Sequence, residues 1–182
     1  MVNDLPVKFL EIIVRALWLI LPAYIANASP VLVGWGVPID GGKNFFDGER
    51  ILGDGKTFQG LLIGLSLGSL TGIFQIRLWA DPRVQNILQT QVWNWKVPVL
   101  LALGALLGDM VASFIKRRYG VQRGTPILGV DQLDFVLGAF FLVSIVWIPE
   151  WFTVVTWLVI TPWIHLGTNM AAYKMNFKSK PY

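Results

Sequence analysis

The chain has 182 residues, of which 54% are hydrophobic and 14% charged, with a formal net charge of +4 and a mean hydropathy of +0.58. A soluble domain carries about 25% charged residues, so the composition excludes an ordinary water-soluble enzyme and points to a membrane protein. Cysteine is absent, which removes disulfide frameworks and thiolate metal sites, and a single histidine argues against zinc.

About five apolar segments follow in order along the chain. The first, near 7–28, carries Glu11 and Arg15 at an i, i+4 spacing and lacks a small-residue cleavage site after a clean apolar core. It therefore reads as a retained membrane helix. The second, near 59–78, holds Gly60, Gly64, Gly68 and Gly72, a ladder that suits close helix packing in a bilayer. The stretch 80–96 reads as a plain connection. The third segment lies near 97–115 and the fourth near 133–148. Pro149-Glu150 breaks the chain before the fifth, near 151–166. Most of these reach the ~20 residues that a bilayer requires. The nine tryptophans fit aromatic belts. The expected fold is all-α: a polytopic membrane protein with about five transmembrane helices and two functional cytoplasmic loops, the whole chain 1–182 forming a single integral-membrane domain.

Charge by loop predicts the orientation. Lys43, Arg50, Lys56, Lys116, Arg117, Arg118, Arg123, Lys174, Lys178 and Lys180 fall on one side; Lys8, Arg77, Arg83 and Lys96 fall on the other. The richer side is expected to be cytoplasmic. That places the protein in the cell membrane with its N-terminus outside, its C-terminus inside, and the loops 29–58 and 116–132 inside.

The first of these loops contains Asn27-x-x-Pro30, Pro38-Ile-Asp40-Gly-Gly42 and Asp47-Gly48-Glu-Arg50-Ile-Leu-Gly53-Asp54-Gly55-Lys56-Thr57. Its glycines allow close backbone approach to a ligand, and consecutive amides in such turns can cradle an anion. Gly55-Lys56-Thr57 resembles the end of a phosphate-binding loop. However, Arg50 stands where the upstream glycine would be, and no strand precedes the loop, so a P-loop fold is rejected. The local physics can still be shared: a lysine on phosphate and a helix N-terminus facing an anion.

The second loop follows Gly108-Asp109-x-x-x-Ser113-x-x-Lys116-Arg117-Arg118 and leads to Asp131-Gln-Leu-Asp134. Asp109 lies in or at the edge of the bilayer, where a carboxylate costs roughly 2.5–3.5 kcal/mol. Asp109, Ser113 and Lys116 share one helical face. Three carboxylates beside basic residues suggest a divalent cation holding a polyphosphate, and oxygen ligands suit Mg²⁺. Lys116 and Arg117 are expected on phosphate, whereas Arg118 is read as a headgroup anchor. His165 and Asn169 stand one turn apart near the inner end of the last segment.

Taken together, these motifs resemble the CDP-archaeol synthase family over nearly the whole chain, through His165-x-x-x-Asn169-x-x-x-Tyr173 to a Pro181-aromatic end. Broader phosphatidate cytidylyltransferases are similar only at Ser113-x-x-Lys116-Arg117 and Asp131-x-x-Asp134. Their His-Gly-Gly before the acids is replaced by Leu128-Gly129-Val130. Phe58-Gln59 stands where the family often has Trp-Arg, so no role for a basic residue is carried to position 59.

The resemblance implies condensation of CTP with 2,3-bis-O-geranylgeranylglycerol 1-phosphate to give CDP-archaeol and pyrophosphate. It implies Lys116, Arg117, Asp131 and Asp134 as catalytic residues, with Mg²⁺ on Asp109, Asp131 and Asp134. It implies substrate contacts from Asn27, Pro30, Asp40, Asp47, Gly48, Arg50, Gly53, Asp54, Gly55, Lys56, Thr57, Ser113, His165 and Asn169. The partners are then CTP, an ether-lipid phosphate and membrane lipids, with no nucleic acid. A phosphate monoester is largely ionised at neutral pH, its second pKa being about 6, so the chemistry needs no general base. The alternative is an anion transporter or channel, which predicts charged residues at the midplane and often an inverted repeat. The charges here lie at one face and no repeat is found. A CDP-alcohol phosphotransferase would need an acidic spacing that this chain lacks.

Overall fold

A computed structural model describes residues 5–88, 94–122, 125, 127 and 129–175. Arg123, Leu128, Lys178, Lys180 and Pro181 lie outside the described residues. Apolar sequence with few helix breakers folds into α1 (Leu5–Ala28), α2 (Phe58–Trp79), a short α3 (Pro82–Leu88), α4 (Lys96–Arg118), α5 (Val130–Val143) and α6 (Trp151–Lys174). A 3-10 turn at Ser29–Leu32 follows α1. Among the described residues the only strand-like pairings are two isolated antiparallel bridges, Pro38 with Thr57 and Asn44 with Arg50.

Lys8–Leu32, Phe58–Trp79 and Lys96–Arg118 are long and apolar enough to cross a membrane. The other two apolar segments differ from these. α5 has 14 residues, a rise of about 21 Å against a hydrocarbon core of ~30 Å. α6 has 24 residues but carries Pro162 and several threonines along its length. The connection 80–96 is not plain either. Asp81 accepts from the Arg83 amide at 2.8 Å and starts α3, with Pro82 at its first position.

α2, α1 and α4 meet along the glycine ladder. A Cβ on Gly64 would lie 2.7 Å from the Ala26 carbonyl oxygen, and one on Gly72 would lie 2.0 Å from Pro98 Cβ. The expected packing role of the ladder is therefore borne out. α4 and α5 approach as closely: a Cβ on Gly138 would fall 2.2 Å from the Gly104 carbonyl oxygen. The core between α1, α4, α5 and α6 is built from Ile20, Leu101, Phe135, Val136 and Trp157, all buried. The Trp157 indole N–H donates to the Ala16 carbonyl at 2.7 Å, which satisfies the polar atom of that ring. Arg15, expected to pair with Glu11, donates instead to the Leu88 carbonyl at 2.9 Å and ties α3 to α1.

Candidate functional site

The 29–58 loop folds back on itself because both of its ends are zipped together. The Ile39 amide donates to the Lys56 carbonyl at 2.8 Å and the Phe58 amide to the Val37 carbonyl at 3.0 Å. Gln59 Oε1 accepts from the Val37 amide at 2.8 Å, so the residue at 59 has a structural task that its sequence position did not reveal. Thr57 caps α2 by accepting from the Gly60 amide at 3.1 Å. Lys56 thus stands immediately before a helix N-terminus.

Asp40 organises the loop from within, and its side chain has no exposure. Its oxygens accept from Arg50 Nη2 at 2.7 Å and from the amides of Gly53 at 2.8 Å, Leu52 at 3.0 Å and Gly42 at 3.1 Å. Burial alone would push this carboxyl up. The Arg50 guanidinium and the amides of Gly53, Leu52 and Gly42 outweigh that and hold it well below the usual carboxylate range. Arg50 also reaches Asp54 at 2.8 Å. Asp40, Arg50 and Asp54, expected on substrate, are here engaged with one another.

A hairpin at 43–50 projects from this platform. The Phe45 amide donates to the Glu49 carbonyl at 2.7 Å and the Ile51 amide to the Lys43 carbonyl at 3.2 Å. Gly48 takes φ +85° at the tip, a conformation that side-chain-bearing residues rarely adopt.

Charge holds the loop against α4, and α4 against the start of α5. Lys56 Nζ donates to Asp109 Oδ2 at 2.6 Å. One turn beyond Ser113, which is buried, Lys116 Nζ donates to Asp131 Oδ1 at 2.6 Å. Asp131 Oδ2 accepts from the Ile127 amide at 3.0 Å, fixing the acid at the start of α5. Asp134 lies one turn further on, half-buried and within range of the charges on Asp109 and Asp131. It comes that close because Gly108 has no side chain: a Cβ there would meet the Asp134 carbonyl oxygen at 2.3 Å. Arg117 donates to the Val121 carbonyl, and its Nε is buried with no hydrogen-bond partner, beneath Gly53, where a Cβ would sit 3.8 Å away.

The structure therefore brings together Gly53, Lys56, Asp109, Lys116, Arg117, Asp131 and Asp134. Asn27 is half-buried near the end of α1, and Pro30 packs under Gly60. His165 and Asn169 stand one turn apart on α6 with 3.2 Å between Nδ1 and Nδ2, and α6 packs on α1 and α5. Arg118 departs from its expected role as an anchor, because its guanidinium turns to the hairpin and pairs with Asp47 at 2.8 Å. It also donates to the carbonyls of Arg50 and Glu49, 68 and 69 residues away, contacts that no local spacing signals.

Among the described residues the acids do not close into a three-ligand metal cluster. Their chemistry still suits a hard cation. They are all carboxylates, and Mg²⁺ takes one or two such ligands and fills the rest of its shell with water and phosphate oxygens. Beside them, an apolar groove of about 780 Å³ runs between α4 and α5, lined by Leu107, Val111, Ile115, Leu137 and Phe141, with Asp134 its one charged wall residue.

The family model for CarS-like CDP-archaeol synthase matches residues 9–182. A CDP-archaeol synthase of Thermococcus gammatolerans is 49% identical over 92% of this chain and 95% of the relative. One of Thermococcus kodakarensis is 47% identical over 96% of this chain and 99% of the relative. A solved intramembrane enzyme for archaeal membrane lipids biosynthesis superposes with a TM-score of 0.74 at 38% identity, covering 87% of this chain and 94% of that one. The chain belongs to the CDP-archaeol synthase family.

Proposed function

We propose that this protein is the cytidylyltransferase its family name describes, condensing CTP with 2,3-bis-O-geranylgeranylglycerol 1-phosphate to give CDP-archaeol and pyrophosphate. One observation carries the reading. The two lysine–carboxylate pairs, Lys56–Asp109 and Lys116–Asp131, sit beside an apolar groove whose charged wall residue is Asp134. A nucleotide triphosphate and a lipid phosphate could meet there with cations at hand and a hydrocarbon seat alongside. Among the described residues no line of charged side chains favours the transporter alternative.

The central difficulty is electrostatic, because one phosphate must attack another. Lys56, Lys116 and Arg117 supply the positive charge. Lys56 stands at the N-terminus of α2, whose dipole also favours an anion. Arg117, whose guanidinium lies against Gly53, brings positive charge to that turn. When bound, Mg²⁺ would be held by one or two carboxylates from among Asp109, Asp131 and Asp134 and would neutralise charge on the phosphate oxygens. The lipid phosphate is already ionised, so no residue need remove a proton. The groove between α4 and α5 offers its apolar wall to a prenyl chain. The family resemblance adds His165 and Asn169 of α6 as substrate contacts.

The same reading places the protein in the membrane with five spans, both loops cytoplasmic and the N-terminus outside, as one integral-membrane domain. The charge asymmetry of the loops supports it. The test is direct: purified protein with Mg²⁺, labelled CTP and prenylated glycerol phosphate should yield a CDP-lipid and pyrophosphate in equal amounts. Absence of both products would overturn the proposal.

A further inference from the structure

We propose that Arg118 is a positioning residue that latches the 43–50 hairpin onto the end of α4 and thereby sets how tightly the nucleotide is held; this rests on the cytidylyltransferase reading. The Arg118 side chain is 18% exposed, whereas the adjacent Tyr119 is 81% exposed. A headgroup anchor would turn outward as Tyr119 does. Instead Nε lies 2.8 Å from Asp47 Oδ2, and Nη2 donates to the Arg50 carbonyl at 2.6 Å and the Glu49 carbonyl at 3.2 Å. The guanidinium carbon stands 4.9 Å from the Phe45 ring centre and 4.7 Å from that of Phe114. These rings, one from the hairpin and one from α4, meet edge-on at 5.3 Å, and the guanidinium lies against both.

This set of contacts is specific to arginine. A planar fork can serve a carboxylate and two carbonyls while stacking on rings, and a lysine ammonium cannot. The latch acts at a distance from the reacting groups. It holds the strand that ends at Arg50; Arg50 holds Asp40 and Asp54; Asp40 fixes the Gly53 amide above Arg117. A loosened hairpin must be ordered again whenever CTP binds, and the apparent affinity falls by the fraction of molecules in the competent state. At saturating CTP the ligand itself restores that order, so turnover is largely kept.

The experiment compares the full-length protein in detergent with Arg118→Ala, Arg118→Lys and Asp47→Asn. Amide hydrogen exchange over 43–55 is read without nucleotide, and steady-state kinetics are read in parallel. The expected result for Arg118→Ala is exchange at least about tenfold faster in 43–55 but unchanged in α1 and α2. Its KM for CTP should rise about tenfold, with kcat within about threefold. Arg118→Lys should behave as the alanine variant does, and Asp47→Asn should show a smaller change in the same peptides. The latch is overturned if exchange and KM stay within about twofold of wild type in both Arg118 variants. It is equally overturned if lysine restores them fully, because charge alone would then suffice. Should Arg118→Ala lose its helical circular dichroism, Asp47→Asn decides the question from the loop side. A wild type that makes no CDP-lipid would sink the cytidylyltransferase reading, while the exchange data would still judge the latch.

Discussion

Lys56 and Asp109 are 53 residues apart in sequence and 2.6 Å apart in space, and this contact ties the glycine-rich loop to α4. If the pair were only a strut, exchanging its two charges would restore it. In the proposed chemistry the lysine serves phosphate and the acid serves the metal, so the exchange cannot restore function. Lys56→Met and Asp109→Asn should each lower turnover by about 100-fold or more, the scale set by losing one transition-state donor. The Lys56→Asp, Asp109→Lys double variant should remain inactive. Recovery in the double variant above either single one, measured as CDP-lipid formed per minute, would reduce the pair to a structural tie.

Asp40 gives the loop a pH dependence of defined sign. Arg50 and the neighbouring amides overcome the effect of burial and hold its carboxyl below the ordinary range. A group with a depressed folded pKa contributes stability that is fully present above its unfolded value, about 3.9, and is lost as pH falls through the folded value. Protection of 40–53 against protease should therefore be flat from about pH 8 to about pH 5 and decline below about pH 4. Asp40→Asn should leave the loop readily cut at pH 7, at a cost of about 1–3 kcal/mol for stranding buried donors. Equal cutting of variant and wild type at pH 7 would mean that the loop does not depend on this acid.

Packing at the α4–α5 crossing yields a sharper structural test. A Cβ on Gly138 would meet the Gly104 carbonyl oxygen at 2.2 Å, and one on Gly108 would meet the Asp134 carbonyl oxygen at 2.3 Å. Both oxygens are backbone, so the helices themselves must separate. Gly138→Ala and Gly108→Ala should each destabilise by about 1–3 kcal/mol. Gly167 meets nothing within 4 Å, and Gly167→Ala in the same assay should be neutral or stabilise by up to about 1 kcal/mol. Thermal unfolding in one detergent would distinguish them, and equal midpoints would contradict the close approach.

Hydropathy and punctuation made the helices legible, because an apolar run bounded by Pro, Gly or charge has few other folds available. They also made the ladder of Gly60 to Gly72 legible as packing. The short α3 could have been read from Asp81-Pro82, an N-cap followed by proline. Span length was less legible: α5 stops after Val143, so the run to Ile148 is not one helix. At the site, the Lys116 face was readable from helical phase, since Arg118, two positions on, points about 200° away. Where Arg118 points was not readable, because Phe45, Asp47, Glu49 and Arg50 come from a loop whose path depends on Asp40. For the same reason the partners of Asp40 were not readable. Only its contact with the Gly42 amide is local, and the other donors arrive from 50, 52 and 53.

Asp131 and Asp134 open α5 on consecutive turns, and the plain alternative is that they merely favour the positive end of that helix. The surroundings separate the two roles. Asp131 has both oxygens engaged, by Lys116 Nζ and by the Ile127 amide, so it orients a lysine as well as carrying charge. Asp134 makes no ion pair among the described residues; it lies on the groove wall, near Asp109. Asparagine at either position keeps the shape and an acceptor oxygen, and removes the charge that a cation needs. Asp131→Asn and Asp134→Asn should therefore each abolish CDP-lipid formation while inserting and unfolding as wild type does. A helix-dipole role alone would cost about 0.3–1 kcal/mol of stability and leave turnover intact. Glu150→Gln, at the exposed start of α6, serves as the control and should stay within about twofold of wild type. Raising Mg²⁺ should recover part of the Asp134→Asn activity, since a weakened site is filled by mass action. It should recover less of Asp131→Asn, where Lys116 also loses its partner. Wild-type turnover in both variants would return the two acids to the role of helix-start residues.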